Sequence, residues 1–385
     1  MKYRDPAGRM RSQSFDRKSD AKAFKASVET DLRRGRWTDP VLGSVPFRDY
    51  ATQWLQTKAN LRPRTFVNVE GRVRNHILPV FGGYRMGDIR PNHVRAWVAG
   101  LTASGLAPET VRAIYRTFGQ IIQTAEIDGL VARSPLVGAK QSLPASCGPQ
   151  EEMCFLSHAQ VAELAETISP RFRVPIYAAA YLGVRDGELW AMRGSTLNML
   201  KGTVQIDRSL YEVRKGLPLP PNFVRVRPGL VLGPTKTGRP RSLHLPGFLT
   251  ELLAGHLRAY PPGEEGFVFT SPEGQPVRHH NFYKRHFIPA VRRASGLPGK
   301  LRFHDLRHTC AALCIDAGWD LEDLKEYLGH SSIRVTSDRY GHRFPKHREA
   351  LRDRLDRAFR EAPQSAEPGV VVAPLWPQEG PGATG

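Results

Sequence analysis

The chain is short of cysteine and of acidic residues, and it has no long apolar run. Four cysteines (Cys147, Cys154, Cys310 and Cys314) in 385 residues are too few and too unevenly spaced for a disulfide framework. The start, Met1-Lys2-Tyr3-Arg4-Asp5-Pro6, lacks the apolar core of a signal peptide, and no stretch approaches a membrane span. These absences lead us to expect a reduced, cytoplasmic protein with no membrane partner, lying near the nucleoid in a bacterium. Asp and Glu number 37 against 56 Lys and Arg, a formal charge of +19. Such an excess repels itself unless a polyanion is the usual partner, and it favours fast, salt-sensitive association with nucleic acid. A basic surface kept for solubility, or a ribosome-associated protein, would carry the same charge. No internal repeat is visible, and the length suits two or three domains.

Composition divides the chain. Residues 1–40 hold eleven Lys/Arg and six Asp/Glu. Within them Tyr3 to Arg9 reads as a strand and turn, and Asp20 to Leu32 as a helix with Ala23, Phe24, Ser27, Val28 and Leu32 at helical spacing. Residues 44–140 read as a helical domain of about four helices. Pro108 opens one of them and Gly129 follows it, with Val111, Ile114, Tyr115, Phe118, Ile121, Ile122 and Ala125 on one stripe. Pro91 and Asn92 open another through Val94, Trp97 and Val98. Residues 140–155 are a linker by composition, after which Ser157 and Gln160 form a capping box. A domain over 155–360 mixes helices with a strand-rich stretch from about Thr203 to Leu245. The tail 362–385 is rich in Pro, Gly and Ala, contains no Lys or Arg, and is expected to be disordered. The fold class expected is α+β, mostly helical.

Four separated segments carry chemistry. Gly183-Val184-Arg185-Asp186-Gly187-Glu188 lodges an arginine between two glycines at a helix-to-helix turn, where it can aim a guanidinium into a cleft. Gly233-Pro234-Thr235-Lys236-Thr237-Gly238-Arg239-Pro240-Arg241 places Lys236 at a hairpin tip. Phe303-His304-Asp305-Leu306-Arg307-His308 follows, and then Tyr327-Leu328-Gly329-His330 with Tyr340 ten positions beyond His330.

In this order and spacing the segments resemble the tyrosine recombinase (phage integrase) family. The resemblance covers about 155–345 as the catalytic domain. It implies a helical core-binding domain at 44–140 and a small arm-site-binding unit at 1–40, the latter without its first strand. The implied activity is site-specific recombination of double-stranded DNA, integrating or excising a phage or mobile element. It would proceed through a 3′-phosphotyrosyl intermediate in a tetramer on DNA, with an excisionase or DNA-bending protein as further partner.

The chemistry asks for these residue types. Attack on a phosphodiester gathers negative charge on its non-bridging oxygens, which two arginines, Arg185 and Arg307, can hold by paired hydrogen bonds. The Tyr340 phenol, with an ordinary pKa of ~10, needs help to lose its proton. The resemblance gives that task to His304, makes Lys236 the acid for the leaving 5′-oxygen, and has His330 donate to the phosphate. No cofactor or metal is needed, because the phosphotyrosine bond stores the energy of the cut.

Other readings stand beside these. Arg185 could only pair with Glu188, and Lys236 with Arg239 and Arg241 could form an ordinary basic hairpin. His304 and His308 have the spacing of half a zinc site, but Asp305 stands where a metalloprotease has Glu, and Arg307 would repel the ion. Cys310 and Cys314 read as core, Asp305 as a residue that positions amides, and His279-His280 as a loop pair. Tyr327, in a helix capped by Asp320 and closed by Gly329, is the rival nucleophile. Arg62, Arg64, Arg72 and Arg74 are expected to contact DNA phosphates, or else to form a solvated face. Leu351, Leu355, Ala358 and Phe359 form a stripe that packs on its own domain or on a neighbouring subunit. A type IB topoisomerase, or a DNA-binding regulator without catalysis, would share this fold.

Overall fold

The computed structural model describes residues 2–4, 10–12, 14–33, 43–145 and 153–341, together with 357 and 360. The expected tail, the 351–359 stripe, Cys147 and part of the linker lie outside the described residues.

At the N-terminus β1 (Lys2–Arg4) and β2 (Met10–Ser12) pair antiparallel ahead of α1 (Lys18–Arg33). The apolar stripe of α1 is narrower than its spacing implies. Val28 is buried and Phe24 half-buried against Phe15, whereas Ala23 is exposed.

Four helical stretches enclose the next core: α2 (Phe47–Gln56), α3 (Pro63–Arg72), α4 (Pro91–Ala103) and α5 (Pro108–Ile127). Proline opens α3, α4 and α5, where its missing N–H costs nothing. The stripe of α5 is buried as its spacing predicts, with Tyr115 at the margin, and Phe118 stacks on Phe81 at 4.6 Å. Beyond Arg72 the chain runs through a π turn, Val73–Ile77, into Leu78–Phe81. The wider turn stands just before Pro79, which cannot donate the α-helical bond.

The second core is built on α6 (His158–Thr167), α7 (Pro170–Leu182) and α8 (Asp186–Trp190). Ser157 Oγ accepts from the Gln160 amide and Gln160 Oε1 from the Ser157 amide, the expected capping box. The strand-rich stretch forms two antiparallel sheets of three strands. One is ordered β3 (Leu197–Asn198), β4 (Thr203–Ile206), β8 (Arg241–His244). The other is ordered β5 (Arg208–Glu212), β7 (Leu230–Pro234), β6 (Val224–Arg227). The Lys236 segment is therefore not the tip of a paired hairpin. It links β7 to β8, strands of different sheets, through a turn closed by Gly238 N–H to Thr235 O at 2.9 Å.

The sheets are followed by α9 (Gly247–Ala259) and α10 (His279–Phe282), which also passes through a π turn, Tyr283–Phe287, ahead of a proline, Pro289, in Ile288–Arg293. Last come α11 (Asp305–Asp316), α12 (Leu321–Leu328) and α13 (Ile333–Tyr340). Asp320 caps α12 by accepting from the Asp323 amide at 2.8 Å, and Leu324 and Leu328 face inward. α11 packs on α7 and is buried on nearly every side from Asp305 to Ala312, while His304 just ahead of it stays exposed. Among the described residues no helix is long and apolar enough to cross a membrane.

Candidate active site

A cleft of about 1550 Å³ separates the start of α3 from the second core. Arg62 and Arg64 form one wall, and Arg185, Lys236, His304, Arg307 and His330 meet on the other. Five of the six residues proposed for catalysis thus share one cleft. The sixth, Tyr340, does not line it.

The floor of the cleft is the C-terminal end of α12. A helix leaves its last carbonyls without partners there and carries the negative end of its dipole. Three arginines take them in turn. Arg241 Nε donates to Tyr327 O at 3.1 Å, Arg307 Nη2 to Leu328 O at 2.6 Å and Arg185 Nη2 to Gly329 O at 3.1 Å. Arg307 Nη1 also donates to Gly183 O at 2.5 Å. Each Nη carries a second hydrogen, so these bonds orient the guanidiniums without exhausting them.

Glu188, 1% exposed, ties two of the three together, with Arg185 Nη1 on Oε1 at 2.9 Å and Arg241 Nη2 on Oε2 at 2.7 Å. Burial alone would raise this carboxyl, but Arg241 and then Arg185 overcome it and hold the pKa down at about 2. Arg185 therefore pairs with Glu188, as its alternative reading has it, and also faces the cleft. Gly187 lets α8 approach β5, because a Cβ there would stand 2.6 Å from Leu210 O.

Burial, then the charge of Arg185, brings Arg307 down to about 9, which leaves it a cation at neutral pH. The histidines are pushed the other way from charge. Enclosure, then His308, Arg307 and Arg339, brings His304 to about 4. Burial, then Arg307 and Arg185, brings His330 to about 3. Both are neutral at pH 7, so His304 can accept a proton. His330 Nδ1 lies 2.8 Å from Thr336 Oγ1.

Tyr340 is fully buried among Ala311, Ile315, Leu324 and Leu328, and its hydroxyl lies 2.7 Å from His308 Nδ1. Burial brings His308 to about 4, with Arg339, Arg302 and Arg307 adding to the fall against Asp305, so the imidazole that shares a hydrogen bond with the phenol is neutral. Burial raises the phenol itself to about 12, against the pull of Arg307. The ring of His308 stands edge-on to that of His304 at 5.0 Å, so one histidine separates the phenol from the cleft. Arg339, the preceding residue on α13, lines the cleft.

The remaining sequence readings divide. Arg62 lines the cleft and is held to protein, donating to Thr235 O at 2.8 Å and Tyr211 Oη at 3.2 Å. Arg64 is exposed in the cleft, whereas Arg72 and Arg74 lie outside it, with Arg74 on Asn75. Tyr327 donates to Tyr181 O at 3.1 Å, and burial raises it further than Tyr340. Cys310 is buried and Cys314 half-buried. Asp305 accepts from the Arg302 amide at 2.8 Å, as a positioner of amides should.

The pair His279-His280 is no plain loop. It opens α10 and lines the cleft, with His279 Nδ1 2.7 Å from Asp186 Oδ1, the carboxylate that also accepts from Trp190 Nε1. That contact raises His279 against the effect of burial. Sequence reasoning also passed over Arg241 and the link between His308 and Tyr340. The only signal for Arg241 was its place five residues after Lys236.

Known proteins agree with this architecture. A family model for the Phage integrase family matches residues 154–347, and one for the phage integrase N-terminal SAM-like domain matches 46–102. A Mycobacterium tuberculosis protein named as a prophage phiRv2 integrase is 29% identical over 362 residues, 88% of this chain and 87% of that one. The integrase of Mycobacterium phage L5 is 25% identical over 336 residues, 84% of each chain. A Tn1549 transposon integrase in complex with transposon right end DNA shares the fold at a TM-score of 0.67 and 17% identity, covering 81% of this chain and all of that one. A λ integrase tetramer bound to a Holliday junction does so at 0.59 and 18%, covering 88% and 91%. With the family match spanning half the chain and five of the six motif residues gathered in one cleft, this protein belongs to the phage integrase family of tyrosine recombinases, enzymes of site-specific DNA recombination.

Proposed function

We propose that the cleft holds the scissile phosphate of an attachment-type site and that Tyr340 is its nucleophile. The observation that carries this reading is the convergence of Arg185, Lys236, His304, Arg307 and His330 on one cleft, with basic residues facing them from α3. Arg185 and Arg307 bind the non-bridging oxygens and stabilise the charge that builds up as attack proceeds. The phenol oxygen of Tyr340 forms a bond to phosphorus while its proton passes to neutral His304, and His330 donates to the phosphate. The bond to the 5′-oxygen breaks as Lys236 supplies its proton. A 3′-phosphotyrosyl ester is left, and a 5′-hydroxyl of the partner strand reverses the steps to rejoin. No oxidant, nucleotide or metal enters this balance.

Tyr340 must leave its pocket first. Arg339 faces the cleft and Tyr340 faces inward, directions separated by about 100°, one residue's step on an α-helix. Thr336 and Tyr340 are the buried residues of α13, so a turn of that helix gives up the Tyr340 pocket and the Thr336 contact with His330, while its other side chains have little packing to lose.

The domain over 44–140 and that over 155–360 close on duplex DNA from opposite faces, with Arg64 on the phosphates and residues 1–40 binding separate arm sites. Four copies pair two sites and exchange strands through a Holliday junction to integrate or excise a mobile element, with an excisionase or DNA-bending protein setting direction. The test is selection from nicked duplexes that carry either randomised cores or the DNA flanking the gene, with covalent adducts captured under denaturing conditions and sequenced. Enrichment of one core, with binding that weakens steeply as salt rises, is expected. An absence of adducts, or adducts with no preferred sequence, would overturn the reading.

A further inference from the structure

We propose that Arg241 is a positioning residue of this active site, locking the turn from Tyr327 to His330 and, through Glu188, the guanidinium of Arg185. The proposal rests on the reading of the cleft as the phosphate site.

Arg241 begins β8, the strand entered directly from the Lys236 turn, and its side chain is 11% exposed. Its contacts close a ring across three elements. Nε holds Tyr327 O on α12, and Nη2 holds one oxygen of Glu188 on α8. The other oxygen of Glu188 holds Arg185, whose Nη2 returns to Gly329 O, two residues beyond Tyr327. Nη1 is buried and without a hydrogen-bond partner, tucked beneath Gly329, where a Cβ would stand 3.1 Å from it. Gly329 also has φ +65°, so a side chain in this turn would be strained in its backbone and would press on Arg241. Arg241 lines the cleft, but its Nη1 is covered by the turn and its Nε and Nη2 are engaged on Tyr327 O and Glu188, so we assign its effect to what it holds rather than to direct contact with phosphate.

The arrangement has a physical logic. A buried carboxylate beside catalytic arginines would collapse onto them in a salt bridge of whatever geometry were available. Two guanidiniums on separate oxygens fix one orientation, and both arginines are anchored again on a helix end that attracts cations. Three parts of the site (the Lys236 turn, the Arg185 turn and the His330 turn) are thereby referred to one side chain. A displacement of about 1 Å in such a set can cost about 10²-fold in rate.

The experiment uses the full chain and the nicked duplex enriched in the selection above, measuring single-turnover adduct formation and duplex affinity separately. Arg241→Leu should slow adduct formation about 10²-fold while affinity stays within about threefold. Arg241→Lys, which can still neutralise Glu188 but cannot reach Tyr327 O as well, should recover about tenfold of that loss. A second arm replaces the scissile phosphate with a neutral methylphosphonate. The defect of Arg185→Ala should shrink there, since less charge needs holding, whereas that of Arg241→Leu should persist.

A wild-type rate in Arg241→Leu overturns the proposal, as does rescue of that variant by the methylphosphonate, which would mean direct contact with the phosphate. Equal losses of rate and affinity would make the role one of folding or binding and overturn it too. If Arg241→Leu does not fold, Arg241→Lys decides alone: a slowed rate at unchanged affinity and melting temperature supports the positioning role, and a wild-type rate refutes it. Failure of the wild-type chain to form any adduct is a different result, which removes the reading of the cleft itself.

Discussion

The cleft and the pocket of Tyr340 share helix α11 and are built in opposite ways. In the cleft, His304 stands among arginines whose directions are fixed by carbonyls of α12 and by Glu188, so the groups that would receive a phosphate are in place before it arrives. One turn further along α11, His308 holds the phenol inside an apolar pocket, raised to about 12 and shielded from that cleft. Preorganised charge lowers a barrier only if little must move during the reaction. On the roles proposed above, the side that receives the phosphate is prepared and the phenol is withheld, so commitment to cleavage would lie with α13.

The largest way to break the comparison is Tyr340→Phe. Adduct formation should vanish while duplex affinity stays near wild type, and loss of both in gel-shift and adduct assays would make residue 340 a structural element instead. On the other side, Arg307→Ala should lower the single-turnover rate at least about 10²-fold, the scale of removing one charge-stabilising donor. An unchanged rate would remove Arg307 from the phosphate.

A smaller effect sharpens the boundary between the two regions. His308→Phe leaves the phenol without its hydrogen-bond partner in an apolar pocket, a cost of about 1–3 kcal/mol that favours exit. Nitration by tetranitromethane, mapped by mass spectrometry, should find residue 340 protected in the wild-type chain and about tenfold more reactive in the variant. Equal reactivity would mean that apolar packing alone retains the ring.

The smallest effect is on stability. His308 has its folded pKa lowered to about 4 from the ordinary 6.5. As the pH falls through that window the unfolded chain binds its proton first, so stability declines from about pH 6.5 to 4, by at most about 3 kcal/mol from this group. The melting temperature should fall over that range, less steeply in His308→Phe. An identical slope in the two proteins would mean that His308 is not held neutral.

Much of this was legible in sequence, for reasons that can be stated residue by residue. The stripe on α5 was readable because helical periodicity and burial are the same fact, and Asp320 and Gly329 because caps are local chemistry. The motifs placed Arg185, Lys236, His304, Arg307 and His330 in one cleft because spacing along a shared fold fixes where those positions go. What was missed is non-local. Alternation marks β7 and β8 as strands but does not say that they join different sheets. Arg241 read as one more basic residue, since its partners, Glu188 and Tyr327, are 53 and 86 positions away. His308 was weighed only as half of a metal pair, a reading set aside, and was given no other role because its partner, Tyr340, stands 32 positions on. Arg72 and Arg74 looked like Arg64 in sequence, but they stand at the far end of α3 and in the π turn after it, outside the cleft. The motif singles out Tyr340, and only the packing of α13 tells that its phenol is stowed.

The most direct test of the account is to map the covalent bond. The adduct with the enriched duplex is digested with nuclease and trypsin, and the peptide that carries nucleotide is sequenced by mass spectrometry. The account predicts nucleotide on Tyr340 and on no other residue; nucleotide on Tyr327, or on any residue outside α13, would contradict it.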